Sequence, residues 1–134
     1  MISLKNAIYP FLFFFILSCA DYQTNKSNDY EEKKYFSSKG FALIYDDNYY
    51  KDKLVNKRLK NDEIEVMHSF LKINTPVKII NPYNNKVIET KIYRKASYPK
   101  IFNIVISKKI ATELSIDSDN PYIEILEFKK NKTF

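Results

Sequence analysis

From residue 40 onward the chain alternates short apolar runs with turn residues: "GFALIYD", "IEVMHSFL", "TPVKIIN", "KVIETKIY", "IFNIVIS" and "PYIEILEF". Within these runs Val77 and Ile79 flank Lys78, and Ile123 and Ile125 flank Glu124. A period of two is the mark of a strand with one buried face. The stretch "NPYNN" at 81–85 separates two such runs and predicts a hairpin turn, since Pro and Asn supply the required backbone angles. One segment follows a different period. In "SKKIATELS", 107–115, Ile110, Ala111 and Leu114 recur at helical spacing behind Ser107, an N-cap residue type. About six short strands and one short helix predict a mainly β domain that closes, or nearly closes, into a barrel and so removes exposed edges.

The first forty residues follow a different pattern. Met1–Ser18 has Lys5 near its start, no acidic residue, seven apolar residues from Phe11 to Leu17, and the small Ser18 before the chain's single cysteine, Cys19. These are the three regions of a secretory signal, and the apolar run is too short to span about 30 Å of hydrocarbon. Residues 20–39 are almost wholly polar and charged and cannot bury enough surface to offset chain entropy, which predicts a flexible tether. The expected organisation is therefore a signal peptide at 1–18, a tether at 19–39, the β domain at 40–128 and a frayed tail at 129–134. A single cysteine excludes an internal disulfide.

Composition narrows the partners. The chain has 134 residues, with one Gly, no Trp, 11 Tyr and 10 Phe, and a formal charge of +6. Such a charge attracts nucleic acid, anionic lipid or acidic glycans. Its lysines, however, are spread along the whole chain beside Asp and Glu, and Lys, Asn, Ile, Tyr and Phe share A/T-rich codons, so a low-GC genome and solvated faces account for it. There is no zinc-finger spacing, RNP-like strand or basic zipper, so no nucleic-acid partner is expected. No metal or cofactor is expected either.

Ile16, Leu17, Ser18 and Cys19 resemble the lipobox of bacterial lipoproteins. That resemblance implies cleavage before Cys19 and acylation of its sulfur, with two or three chains giving a lasting membrane anchor. The alternatives are a plain signal with an incidental free thiol, or an uncleaved anchor. Ala20 after the cysteine points to the outer membrane, with the domain facing the periplasm.

The segment "HSFLKINTPVKIINPYNNKVIETKIYRKASY", His68 to Tyr98, resembles the rare-lipoprotein-A family of septal-ring lytic transglycosylases. His68, Leu71, Thr75, Val77, Ile79 and Asn81 fall in the family's places, and Asn84, Asn85 and Lys86 fall on its hairpin. Upstream, Gly40, Ala42 and Tyr45 match its opening strand; downstream, Ser107, Ala111 and Leu114 match its strand and helix. The resemblance implies a six-stranded double-psi β-barrel over 40–128 and peptidoglycan as partner. It also implies cleavage between N-acetylmuramic acid and N-acetylglucosamine to 1,6-anhydro products.

Such cleavage needs one group to protonate the leaving oxygen and one to deprotonate the attacking hydroxyl. His68, the only histidine, stands at the family histidine. Arg94 stands at the family aspartate, Lys95 at the following arginine, and Val105 at a second aspartate. A guanidinium is neither acid nor base at neutral pH. Asp46, Asp47 and Glu65 are candidate substitute carboxylates. Arg94 and Lys95 are expected instead to pair with stem-peptide carboxylates and, if close, to lower the proton affinity of His68; Tyr93 and Tyr98 are expected to stack on sugars, and Tyr45 to pack in the core. The leading expectation is a glycan-binding envelope lipoprotein with weak or no activity. The alternatives are an active lytic transglycosylase and a docking module for envelope or division proteins.

Overall fold

A computed structural model describes residues 34–130. The signal peptide, Cys19, the tether up to residue 33 and the last four residues lie outside that range. The described chain is mainly β: β1 (Ser37–Ile44), α1 (Asp47–Lys51), β2 (Val66–His68), β3 (Pro76–Asn81), β4 (Lys86–Lys91), β5 (Arg94–Lys95), β6 (Phe102–Ile106), α2 (Lys108–Glu113) and β7 (Tyr122–Glu127). The strands form one curled sheet in the order β4-β3-β7-β1-β6-β2-β5. Two pairs are parallel, β1 with β6 and β2 with β5; the other neighbours are antiparallel. Among the described residues no helix is long and apolar enough to cross a membrane.

β4 and β5 stand at opposite ends of the sheet order, yet only Ile92 and Tyr93 separate them. The Ile92 N–H donates to the Thr75 carbonyl at 3.0 Å and the Tyr93 N–H to the Val66 carbonyl at 2.9 Å. One extended run, Lys86 to Lys95, thus passes its pairing from β3 to β2.

Alternation along the strands creates the core. Val77, Ile79, Ile123 and Ile125 enter the inside of the curl as their spacing predicts, and meet Ala42, Val66, Ile92, Ile104 and Ile106. Ile110, Ala111 and Leu114 of α2 pack on the same cluster. A second cluster lies on the other face of the central strands, where Leu43, Met67 and Val105 pack with Tyr45, Ala96, Val55 and Leu59. Successive side chains point to opposite faces, so β2, the Ala42 and Leu43 part of β1 and the Ile104 to Ile106 part of β6 are buried on both sides. That is why "ALIY", "VM" and "IVI" read as unbroken apolar runs rather than alternating ones.

The hairpin and the longer helix form where expected. Asn81 Oδ1 accepts the Tyr83 N–H at 3.1 Å, and Asn85 takes a positive φ of 61° at the turn. Ser107 caps α2: its Oγ accepts the Ile110 N–H at 3.4 Å and donates to the Glu63 carbonyl at 2.6 Å. Other features depart from expectation. Among the described residues there are seven strands rather than six, because the run after β4 resumes as the two-residue β5. The described residues hold two short helices rather than one. α1 begins at Asp46, whose carboxylate accepts the Asn48 N–H at 2.9 Å, and it buries no residue, so "DNYYK" carries no apolar period to betray it. β1 opens at Ser37, within the stretch read as tether.

Candidate functional site

β2 ends on His68, whose side chain is 2% exposed. Its Nδ1 accepts the backbone N–H groups of Phe70 at 3.2 Å and Leu71 at 3.1 Å, so the ring folds the following turn back on itself. A nitrogen that accepts two N–H groups carries the lone pair, and the neutral ring's proton is therefore on Nε2. Nε2 makes no hydrogen bond to a described residue. The rings of Phe36 and Phe70 meet the imidazole edge-on, with centroids 5.2 and 4.5 Å away. Burial lowers the imidazole pKa from 6.5 to about 4, so His68 is neutral at pH 7. The sequence pointed to Arg94 and Lys95 as a source of lowered proton affinity; the cause found is removal from water.

His68 forms part of the wall of a surface pocket of about 270 Å³. Phe36, Phe70 and Phe102 supply its apolar lining, Ser38, Ser69, Tyr98 and Asn103 its polar lining, and Lys100 its one formal charge. No Asp or Glu lines it. The Tyr98 hydroxyl accepts the Ser69 N–H at 3.0 Å and donates to the Asn103 carbonyl at 3.2 Å, which ties the loop after β2 to the start of β6. Burial raises the Tyr98 pKa, keeping its phenol protonated. Asn103 Nδ2 donates to Ser38 Oγ at 2.6 Å and closes the floor between β6 and β1.

Of the residues singled out from sequence, the pocket unites His68 and Tyr98. Tyr93, Arg94 and Lys95 lie outside its lining and are exposed. Lys95 is the register partner of His68 and Arg94 of Met67. The Arg94 guanidinium sits 5.2 Å from the centre of the Tyr93 ring. Tyr45 is fully buried in the second core cluster, as expected. The three candidate carboxylates are engaged elsewhere. Asp46 caps α1, Asp47 accepts the Tyr45 hydroxyl at 2.9 Å, and Glu65 accepts the Lys60 N–H at 3.0 Å. Val105 is fully buried against the second cluster. Cys19 lies outside the described residues.

Sequence reasoning missed Phe36, Ser38, Phe70, Lys100 and Asn103. Phe36 and Ser38 sit in a polar flank whose composition hides them. "HSF" and "YPKIF" offer an aromatic-and-basic signal near the histidine, but only the pairing of β2, β5 and β6 brings those segments together.

Chemically the pocket offers a neutral N–H donor, aromatic walls and an ammonium. It does not offer the carboxylate that would complete an acid/base pair with His68. No group of three or more His, Cys, Asp or Glu suited to a metal ion occurs among the described residues. Compared with known proteins, the chain matches no family model and no curated sequence.

Proposed function

We propose that this chain is a cell-envelope lipoprotein whose β domain binds peptidoglycan glycan strands, a relative of the rare-lipoprotein-A family with little or no transglycosylase activity. The observation that carries this reading is the aromatic-walled pocket around His68 with no carboxylate in its lining. Aromatic rings present flat apolar surfaces suited to the faces of sugar rings, and amide and hydroxyl groups beside them suit sugar hydroxyls. A buried imidazole neutral at pH 7 and lacking a carboxylate partner is a poor half of an acid/base pair.

The double-psi β-barrel of the proposal has two supports. The run Lys86–Lys95 pairs with β3 at one end of the sheet order and with β2 at the other, which favours closure into six strand tracks. The parallel pairs β1–β6 and β2–β5 connect strands distant in sequence, as crossed loops require. Arg94 and Lys95 are exposed on β5, beside the exposed Tyr93, and free to meet stem-peptide carboxylates on a bound strand. Cys19 carries the lipid, outer-membrane anchoring follows from Ala20, and the tether lets the domain reach the wall from the periplasmic face.

Three experiments test the proposal. The full chain should co-sediment with purified peptidoglycan above the level of a periplasmic control protein; equal recovery refutes glycan binding. Digests at high protein concentration should contain no anhydro-muropeptides; their appearance, and loss with His68→Ala, would establish the enzyme instead. For the anchor, Cys19→Ser should abolish acylation and membrane fractionation, and unchanged fractionation refutes it.

A further inference from the structure

The positive charge of the chain is concentrated in one loop. Residues 51–60, "KDKLVNKRLK", hold Lys51, Lys53, Lys57, Arg58 and Lys60 against Asp52, so five cations less one carboxylate give +4 in a chain of +6. All five are exposed, and none enters the ion pairs found among the described residues, which join Lys39 to Glu124, Lys78 to Glu89 and Lys108 to Asp46. Leu54, in their midst, is 39% exposed.

A solvated charge run needs no fixed shape, yet this loop is held in one. Val55 and Leu59 are buried in the second core cluster, which turns the residues around them outward. The Leu54 and Val55 N–H groups both donate to the Tyr49 carbonyl, at 2.9 and 3.2 Å, and the Lys60 N–H donates to the Glu65 carboxylate at 3.0 Å. The Arg58 guanidinium lies 4.6 Å from the centre of the Tyr50 ring. Asn56 fixes where the loop sits: its N–H donates to the Ser97 carbonyl at 3.2 Å, and its Oδ1 accepts the Ser97 N–H at 2.7 Å. Ser97 precedes Tyr98, which lines the same pocket as Phe36 and Ser38 at the start of β1. The cationic loop is therefore at the end of the domain where the chain enters β1. Fifteen residues, 20–34, separate Cys19 from Tyr35, and such a length spans at most about 50 Å. A lipid on Cys19 thus keeps that end of the domain near a bilayer.

We infer that the 51–60 loop docks the domain on an anionic phospholipid bilayer, with its five cations against the headgroup phosphates and Leu54 inserted at the acyl boundary. The choice of a bilayer rests on the lipid anchor proposed at Cys19 and is independent of glycan binding. Basic residues near an anionic surface add their attractions, an apolar side chain among them gains by entering the boundary, and the anchor raises the local concentration of the loop. A soluble polyanion would use the charge and leave Leu54 without a role.

The test is lysine acetylation footprinting of the full chain on vesicles of phosphatidylcholine alone and of an equimolar mixture with phosphatidylglycerol, after flotation of each. On the mixed vesicles Lys51, Lys53, Lys57 and Lys60 should react about fivefold more slowly than on phosphatidylcholine, and high salt should erase the difference. Lys86, at the other end of the run Lys86–Lys95, should react equally on both. Lys57→Gln combined with Lys60→Gln should reduce the protection of Lys51 and Lys53 to about twofold or less, and Leu54→Ser should also lower it. Equal reactivity of the loop on the two vesicles overturns docking and leaves the anchor standing. Flotation with the mixed vesicles alone refutes the anchor and retains docking; flotation with neither refutes both. If Leu54→Ser keeps full protection and heparin protects the four lysines as well as the mixed vesicles do, the loop is a site for soluble polyanions and the bilayer is overturned.

Discussion

Gly40 and Asn103 occupy neighbouring space so closely that no side chain fits between them. A Cβ on Gly40 would lie 2.5 Å from Asn103 Nδ2 and 2.8 Å from its Cγ. The cause is a register shift: Phe41 pairs with Phe102 and Ala42 with Ile104, so Asn103 is the extra residue on β6. Its amide runs over Gly40 to reach Ser38 Oγ. A bulge of this kind re-aims a side chain, here into the floor of the pocket. Gly40, the only glycine of the chain, is therefore required for close approach.

Gly40→Ala should consequently destabilise the fold by about 1–3 kcal/mol, because Asn103 must swing out and lose its bond to Ser38. Asn103→Ala alone should cost about 1 kcal/mol. In the double variant the overlap is gone, so the combined loss should be clearly smaller than the sum. Urea unfolding of the four chains measures this, and additive losses would show that the two residues do not compete for space.

His68 holds the turn after β2 through Nδ1, a structural role separate from any role of Nε2. His68→Ala should cost about 2–4 kcal/mol by opening a cavity and stripping the Phe70 and Leu71 N–H groups of their acceptor. His68→Asn should recover part of that loss, since a short side-chain oxygen can accept both groups. Equal unfolding midpoints in urea for the two variants would argue against the turn.

The same burial makes stability depend on pH. The folded state holds His68 at a pKa of about 4 against 6.5 in the unfolded chain, so folding favours the neutral ring. Its contribution is complete above pH 6.5 and is lost as pH falls from 6.5 through 4, reaching on the order of 3 kcal/mol below that. Of the groups that face the ring, Phe36 and Phe70 are uncharged, and burial raises the Tyr98 pKa and keeps its phenol protonated. The carboxylates are common to wild type and His68→Asn and cancel in their difference. That difference, measured by unfolding at pH 7 and pH 4.5, should shrink in acid; a constant difference would show that His68 titrates normally.

How far these features could be read from sequence follows from what each residue faces. Val77, Ile79, Ile123 and Ile125 announce their strands because their neighbours are less buried. Leu43, Met67 and Val105 are read as strand residues but not as a second core, since burial on both faces erases the alternation that would separate the layers. The partners that cover them, Val55 and Leu59, sit in an irregular, mostly polar segment without a recognisable period. In the pocket, His68 and Tyr98 were legible as the chain's single histidine and as an aromatic suited to a sugar face. Lys100 was not, because nothing local distinguishes it from Arg94 and Lys95; which cation lines the cavity depends on how β5 pairs with β2.

Asn81 ties the hairpin to α2, and its loss should be felt at both. The residue is 4% exposed; its Nδ2 donates to the Leu114 carbonyl at 2.9 Å and its Oδ1 accepts the Tyr83 N–H at 3.1 Å. The Leu114 carbonyl at the end of α2 has no onward helical turn to satisfy it, and Asn84 Nδ2 donates to the same oxygen at 3.0 Å. The two amides differ in exposure: Asn84 is open to water, so solvent can replace it, whereas Asn81 sits where water cannot easily follow. Asn81→Ala should therefore cost about 2–3 kcal/mol and Asn84→Ala at most about 1 kcal/mol. Amide exchange should report the spread of the damage. With Asn81→Ala, protection should fall both at Tyr83 and at the C-terminal turn of α2, including Leu114 and Ser115. Loss confined to the hairpin would mean that the helix end is held by its own packing, with Ile110, Ala111 and Leu114 sufficient to keep it on the core.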